Sequence, residues 1–181
     1  MTPEERSELI PTHITLRSEL NELEQQNIAD ADRWAFSRRR NVLDEAFLRG
    51  LHRRMFNRVW RWAGKYRLTE RNLGVAPHLI ETQLRQAIDD ANYWVEHQSY
   101  EPDELAVRFH HRLVGVHPFP NGNGRWSRLA ADLEAVRLGR PRFTWGRVNL
   151  QAAGAARRAY IDALKAADDH DPGPLIAVAR S

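Results

Sequence analysis

The stretch HPFPNGNGRWSR, residues 117–128, joins two helical patterns through a tight turn. Upstream, Leu105, Phe109, Leu113 and Val116 recur at helical spacing, and downstream Trp126, Leu129, Leu133 and Val136 do the same. Gly122 and Gly124 let backbone N–H groups converge on one point. The helix that begins near Asn123 adds unpaired N–H donors and the positive end of its dipole, so the turn is suited to an anion. Arg125 and Arg128 lie three apart, on one helical face, and both can reach the same ligand. An anion with several oxygens, such as a di- or triphosphate, would engage all of these groups together. His117 sits on the opposite rim, where an imidazole of ordinary pKa, ~6.5, can take a proton from a hydroxyl at neutral pH. Pro118 stiffens the exit from the first helix, and Phe119 pins the turn to the core.

Helical signals dominate on both sides of this turn. Thr2-Pro3-Glu4-Glu5 reads as a helix start, closed by Pro11. From about Thr15 to Phe36 a helix-forming segment carries Leu16, Leu20, Leu23, Ile28 and Trp34 as its apolar positions. Residues 43–62 place Phe47, Leu51, Met55, Phe56, Val59 and Trp60 at helical spacing. Gly64, Gly74 and Pro77 then bracket a polar stretch, residues 64–78, that predicts a small hairpin or extended flap. Further helices are expected from about Leu79, from Glu101-Pro102-Asp103 and over 149–167, with a short one after Pro172. The pattern predicts one all-α domain over 1–181, about seven helices with a single short β-hairpin excursion.

Composition narrows the function classes. The 181 residues suffice for one domain with a sizeable core, and 42% apolar with 28% charged residues is a globular balance. There is no cysteine, which excludes disulfides and thiolate metal sites. The first residues lack a signal-peptide pattern and no apolar run reaches bilayer length, so a soluble, cytoplasmic protein is expected. Only Lys65 and Lys165 among the 27 basic residues are lysines, and the net charge is +3. Arg bias alone is weak support for a nucleic-acid surface, and the six tryptophans read as core rather than base-stacking platforms. His110 and His111, even taken with His52 or His117, lack the carboxylate spacing of a metal site.

The 117–128 stretch resembles the signature of the Fic (filamentation induced by cAMP) family, H-x-F-x-[D/E]-G-N-G-R-x-x-R, and matches every fixed position except the acid, where Asn121 stands. HRRMFNRVWRWAGKYR, residues 52–67, is similar to the family segment in which a helix leads into a flap. The whole chain further resembles the Fic subgroup labelled mobile mystery protein B, a label of genomic context on mobile elements.

The resemblance implies a Fic/Doc-type helical bundle and transfer of AMP from ATP to a Ser, Thr or Tyr hydroxyl of a target protein. His117 would be the base. The Gly122-Asn123-Gly124 backbone and the Asn123 side chain would cradle the phosphates, with Arg125 and Arg128 holding them. Kinase relatives carry Lys where this chain has Gly124, which favours nucleotidyl transfer over phosphorylation. Mg²⁺ is expected with the nucleotide, and Asn121, an uncharged amide, is its weakened ligand. The flap residues Thr69, Glu70, Arg71, Asn72, Leu73 and Gly74 would pair with an extended target segment. Many relatives carry an inhibitory helix whose Glu pairs with the second motif arginine; within residues 1–40, Glu24 of LNELEQQNI is the candidate. A toxin-like role with an antitoxin-like partner is a further implication. Two other classes stay open: a nucleotide-binding regulatory module with little turnover, and a DNA-associated accessory of a mobile element.

Overall fold

The computed structural model describes residues 3–14, 16–147 and 154–181. Among them are eight α-helices: α1 (Pro3–Glu8), α2 (Arg17–Phe36), α3 (Glu45–Phe56), α4 (Ile80–Glu96), α5 (Pro102–Val116), α6 (Asn123–Arg137), α7 (Ala155–Asp168) and α8 (Gly173–Arg180). The chain is all-α, as its periodicity predicts. Thr2, Thr15 and the start expected for the 149–167 helix lie outside the described residues.

The α5–α6 pair is the centre of the molecule. On one side Phe109, Leu113, Trp126, Leu129 and Leu133 pack with Leu20 of α2, Leu48, Leu51, Met55 and Phe56 of α3, and Leu84 of α4. On the other, Ala106, Val107, Ala131 and Ala135 meet Tyr160 and Ala163 of α7 and Leu175 and Ala179 of α8. Small residues on that second face let the helices approach closely. The 117–122 turn therefore emerges at one end of the bundle, with α2 and α7 on either side.

Local chemistry explains the helix ends. Asp44 caps α3 by accepting the Phe47 N–H at 2.7 Å. Pro102 opens α5 at its first position, followed by Asp103 and Glu104 at the positive dipole end. Two expectations shift. The 43–62 helical pattern stops at Phe56, because Ile10 donates its N–H to the Val59 carbonyl at 2.8 Å and Arg61 donates to Glu8 at 2.9 Å. On α2, Leu20 is buried and Leu23, Ile28 and Trp34 pack against the core as expected, but Leu16 is exposed and the polar Glu24 and Asn27 are buried beside Ala31 and Ala35. Asn27 tolerates burial because its amide donates to the Arg54 carbonyl at 2.7 Å and accepts the Arg58 N–H at 2.9 Å.

The hairpin expected over 64–78 does not form: no strand pairing occurs there among the described residues, and the segment is an irregular flap, bent at 69 and over 72–75, that runs into a 3₁₀ turn at Pro77–Leu79. Its backbone is tied to the 116–118 segment instead, Arg67 N–H to Pro118 O at 2.9 Å and Val75 N–H to Val116 O at 3.4 Å. No described helix is long and apolar enough to cross a membrane.

Candidate active site

His117 terminates α5 in the left-handed conformation, φ 50° and ψ 57°, which turns the chain out of the helix. Gly122 then takes φ 81°, and a Cβ there would lie 2.5 Å from the Phe56 ring, so only glycine fits. Asn123 opens α6 and is buried. Its side-chain oxygen accepts the Phe119 N–H at 2.9 Å and its amide donates to the Phe119 carbonyl at 2.8 Å. The Asn123 side chain thus closes the turn on itself, its oxygen and amide both committed to the Phe119 backbone rather than left open for the ligand role expected of it.

His52, on α3, is a residue that sequence reasoning set aside. Its Nδ1 accepts the Gly64 N–H at 3.0 Å, so Nε2 carries the hydrogen and donates to the Asn121 carbonyl at 3.0 Å. The ring lies flat on Phe119, centroids 3.6 Å apart. Burial pushes its pKa down to about 3, with Arg125 adding to the shift against the Asn121 hydrogen bond, so this brace stays neutral. Trp126 completes the frame by donating its indole N–H to the Leu48 carbonyl at 2.9 Å.

A cavity of about 410 Å³ opens over this turn. It is lined by His117, Asn121 to Arg125 and Arg128 of the motif, by Arg17, Leu20, Asn21 and Glu24 of α2, and by Arg157, Tyr160, Ile161 and Leu164 of α7. Gly124 leaves room beside the backbone: the nearest atom to an added Cβ, at 3.6 Å, is on Arg128. Arg128 lies over the Tyr160 ring, 5.6 Å from its centroid, and Tyr160 shares its hydroxyl with buried His110 at 2.9 Å. The structure thus brings His117, Gly122, Asn123, Gly124, Arg125 and Arg128 to one cavity, with Asn121 at its rim.

His117 is half-buried, with Nδ1 enclosed beside the Val114 backbone, which leaves Nε2 as its accessible nitrogen. Burial lowers its pKa, and Arg67 and Arg71 push the same way against the Val114 backbone. It is therefore neutral at neutral pH, the state of a base.

Glu24 is buried and reaches the motif from α2. Its carboxylate accepts from Arg125 at 2.8 Å and from the Trp60 indole at 2.5 Å. The partner is the first motif arginine, not the second: one helical turn separates Arg125 from Arg128, and Arg128 is directed to Tyr160 instead. The Glu24–Arg125 pair occupies a donor that an anion would otherwise use.

The flap residues Thr69 to Gly74 are all exposed. What holds them is Arg67, missed by sequence reasoning and only 2% exposed. Its guanidinium donates to the carbonyls of His117 at 2.7 Å, Thr69 at 3.0 Å and Val75. Gly74, at φ 98°, presses against His117, since a Cβ there would come within 2.5 Å of the histidine Cβ. The sequence signal, an arginine after WAGKY, has no meaning without those distant carbonyls.

The residues offer little to a magnesium ion. Asn121 turns its amide oxygen onto the Gly122 N–H at 2.7 Å, and Glu24 is the single carboxylate among the described lining residues. No group of three His, Asp or Glu side chains able to hold a metal occurs among the described residues.

The sequence matches the Fic/DOC family over residues 42–135, a little over half of the chain. The chain belongs to the Fic/DOC family. It is 40% identical over 86 residues to protein adenylyltransferase fic-1 of Caenorhabditis briggsae, a match covering 44% of this chain and 16% of that relative. A uridine 5'-monophosphate transferase of Xanthomonas campestris pv. campestris is 43% identical over 56 residues, 26% of this chain and 10% of that protein. The matches thus span only a small part of these curated relatives. Among solved structures, the BepC protein of Bartonella tribocorum with bound AMPPNP superposes with a TM-score of 0.74 at 18% identity, covering 94% of this chain and 89% of that one. Fic-1 from C. elegans gives 0.70 at 25% identity, covering 92% and 50%.

Proposed function

We propose that this Fic domain transfers the nucleotidyl group of a nucleoside triphosphate, AMP from ATP, to a hydroxyl of a protein, and that Glu24 holds it in a self-inhibited state. The observation that carries the reading is the convergence of a neutral His117, the α6 N-terminus, Arg125 and Arg128 on one cavity. The names of the relatives, adenylyltransferases and a uridylyl transferase, support the reaction class.

In this mechanism the target segment lies along the flap, Thr69 to Gly74, with its hydroxyl beside His117. Nε2 takes the hydroxyl proton as the oxygen attacks the α-phosphorus. The bond from the α-phosphorus to the oxygen bridging the β-phosphate breaks, and pyrophosphate leaves. Negative charge on the phosphates meets the backbone N–H groups of Gly122 to Gly124 and the two arginines, donors already in place before reaction. No step is routed through magnesium, since the motif supplies no carboxylate for it. Arg125 must first exchange Glu24 for phosphate. Self-restraint of this kind suits a toxin-like protein of a mobile element, with or without an antitoxin-like partner.

Incubation with ATP labelled at the α-phosphate tests the reading, using the chain, Glu24→Gly and Glu24→Gly/His117→Ala. Label is expected on protein with Glu24→Gly, at least about tenfold above the parent chain, and absent from the double variant. Tight ATP binding by Glu24→Gly without any protein label would instead make the domain a nucleotide-binding module.

A further inference from the structure

The chain ahead of α2 is fastened to the segment that follows α3. Ile10 donates its N–H to the Val59 carbonyl at 2.8 Å, and Arg61 donates to the Glu8 carbonyl at 2.9 Å. These two bonds flank an isolated antiparallel bridge between Leu9 and Trp60. Leu9 and Trp60 are therefore a non-hydrogen-bonded pair, in which facing Cα atoms stand ~4.5 Å apart and the side chains lie close on one face. Both side chains are buried in the main core. Trp60 is also stacked on Trp62, and its indole N–H reaches out of this packing to Glu24 at 2.5 Å. The acceptor is telling. A buried indole needs one partner, and a backbone carbonyl suffices, as that of Leu48 does for Trp126. Trp60 instead engages the carboxylate whose other oxygen accepts from Arg125 at 2.8 Å. The two donors take different oxygens of Glu24, and so fix the carboxylate in the orientation that covers Arg125.

Resting on the self-inhibited transfer reading above, we propose that Trp60 is the positioning residue that holds Glu24 on Arg125, and that residues 8–10 form a strap across Trp60 whose docking sets how firmly the site is closed. The donor's phosphates compete with Glu24 for the Arg125 guanidinium. Hydrogen bonds to a charged acceptor belong to the stronger class, so the indole raises the threshold that this competition must pass. Once the carboxylate loses its second donor, phosphate displaces it more readily. Undocking of residues 8–10 frees the backbone on both sides of Trp60 and removes Leu9 from beside its ring, so the indole can leave Glu24. The strap residues Glu8, Leu9 and Ile10 do not line the cavity, and the nucleotide path stays open whether they are docked or not. Control of the site thus starts outside it.

Initial rates of protein labelling from ATP labelled at the α-phosphate, with the full chain, test this. Glu24→Gly sets the released rate. Trp60→Phe keeps an aromatic ring in the core and removes the N–H, and its rate is expected at least about threefold above the parent chain. Ile10→Pro removes the strap's own donor and is expected to raise the rate at least about twofold. Leu9→Ala loosens the same bridge without proline strain, gives the strap a second test, and is expected to act in the same direction. In the Glu24→Gly background all three substitutions are expected to change the rate by less than about twofold, because they act through a carboxylate that is gone. Rises of the same size in that background overturn the proposal and leave self-inhibition standing. So does label at the parent's rate from Trp60→Phe and both strap variants beside an activated Glu24→Gly. Glu24→Gly that labels no faster than the parent, or not at all, removes self-inhibition itself, and this inference with it.

Discussion

Two loops meet at His117, and they are built in opposite ways. The 117–122 turn is fastened from every side: the Asn123 amide grips Phe119 twice, His52 holds the Asn121 carbonyl, and Phe119 is fully buried between the His52 and Trp126 rings. The flap has its side chains in solvent, Leu68 at 90% and Leu73 at 66% exposure, and is held by two backbone hydrogen bonds to residues 116 and 118 and by one buried guanidinium. Phosphate chemistry needs donors fixed to fractions of an ångström, whereas pairing with a varied peptide needs a ribbon that can adjust. Here the rigid loop and the adaptable one share an atom group, the His117 carbonyl, so the proposed base is registered to both.

Breaking the rigid loop should cost most. Asn123→Ala leaves the buried Phe119 N–H and C=O without partners, at about 3 kcal/mol of stability. Transfer by the Glu24→Gly form is expected to fall about 100-fold, read from initial rates and urea melts.

Acid should loosen the same loop. The pKa values of His52 and His110 are each pushed down by burial to about 3, below the ordinary value of an unfolded chain. Below pH ~6.5 the unfolded chain takes up protons that these residues refuse in the fold, so stability falls with pH by roughly 1.4 kcal/mol per unit for each. Asp132, raised by burial to about 6, has the opposite sign and offsets about one histidine's share between pH ~6 and ~4. Denaturant midpoints from pH 7 to pH 4 should therefore drop, and His52→Gln should flatten the drop; an unchanged slope would remove His52 from the account.

Releasing the adaptable loop should do less to stability and more to target binding. Arg67→Met is expected to raise the KM for the protein target about tenfold, with a smaller change in kcat. It should also move the acid limb of the rate profile upward, because a cation that lowers the His117 pKa is gone. Leu68→Ser and Leu73→Ser, at solvent-facing positions, should alter target KM by about two- to threefold and leave the melting temperature within experimental scatter.

The difference between the loops also decides what could be read from sequence. The motif carries its chemistry on neighbouring residues, so His117, Arg125 and Arg128 were legible from spacing alone, and the helices around them from apolar periodicity. Arg67 and His52 were not, because their roles are defined by carbonyls at positions 75, 117 and 121, far along the chain. Asn123 was legible as part of the turn but not in its side-chain direction, since a buried amide takes the nearest backbone pair before any ligand. Periodicity placed Leu20, Leu23, Ile28 and Trp34 of α2 on the core but could not show that Asn27 also points inward, because its partners are backbone groups at residues 54 and 58. The flap lacked the alternation that a hairpin requires, and nothing in it competes with Arg67 for its carbonyls.

Glu24 shares its carboxylate between Arg125 and the Trp60 indole, and Trp60 stacks on Trp62 with centroids 5.3 Å apart. Departure of that carboxylate would strip an anionic acceptor from an indole held against a second indole. If Glu24 restrains the domain as proposed, that restraint is wired to a fluorophore, and the protein's own emission becomes a label-free gauge of the Glu24–Arg125 contact.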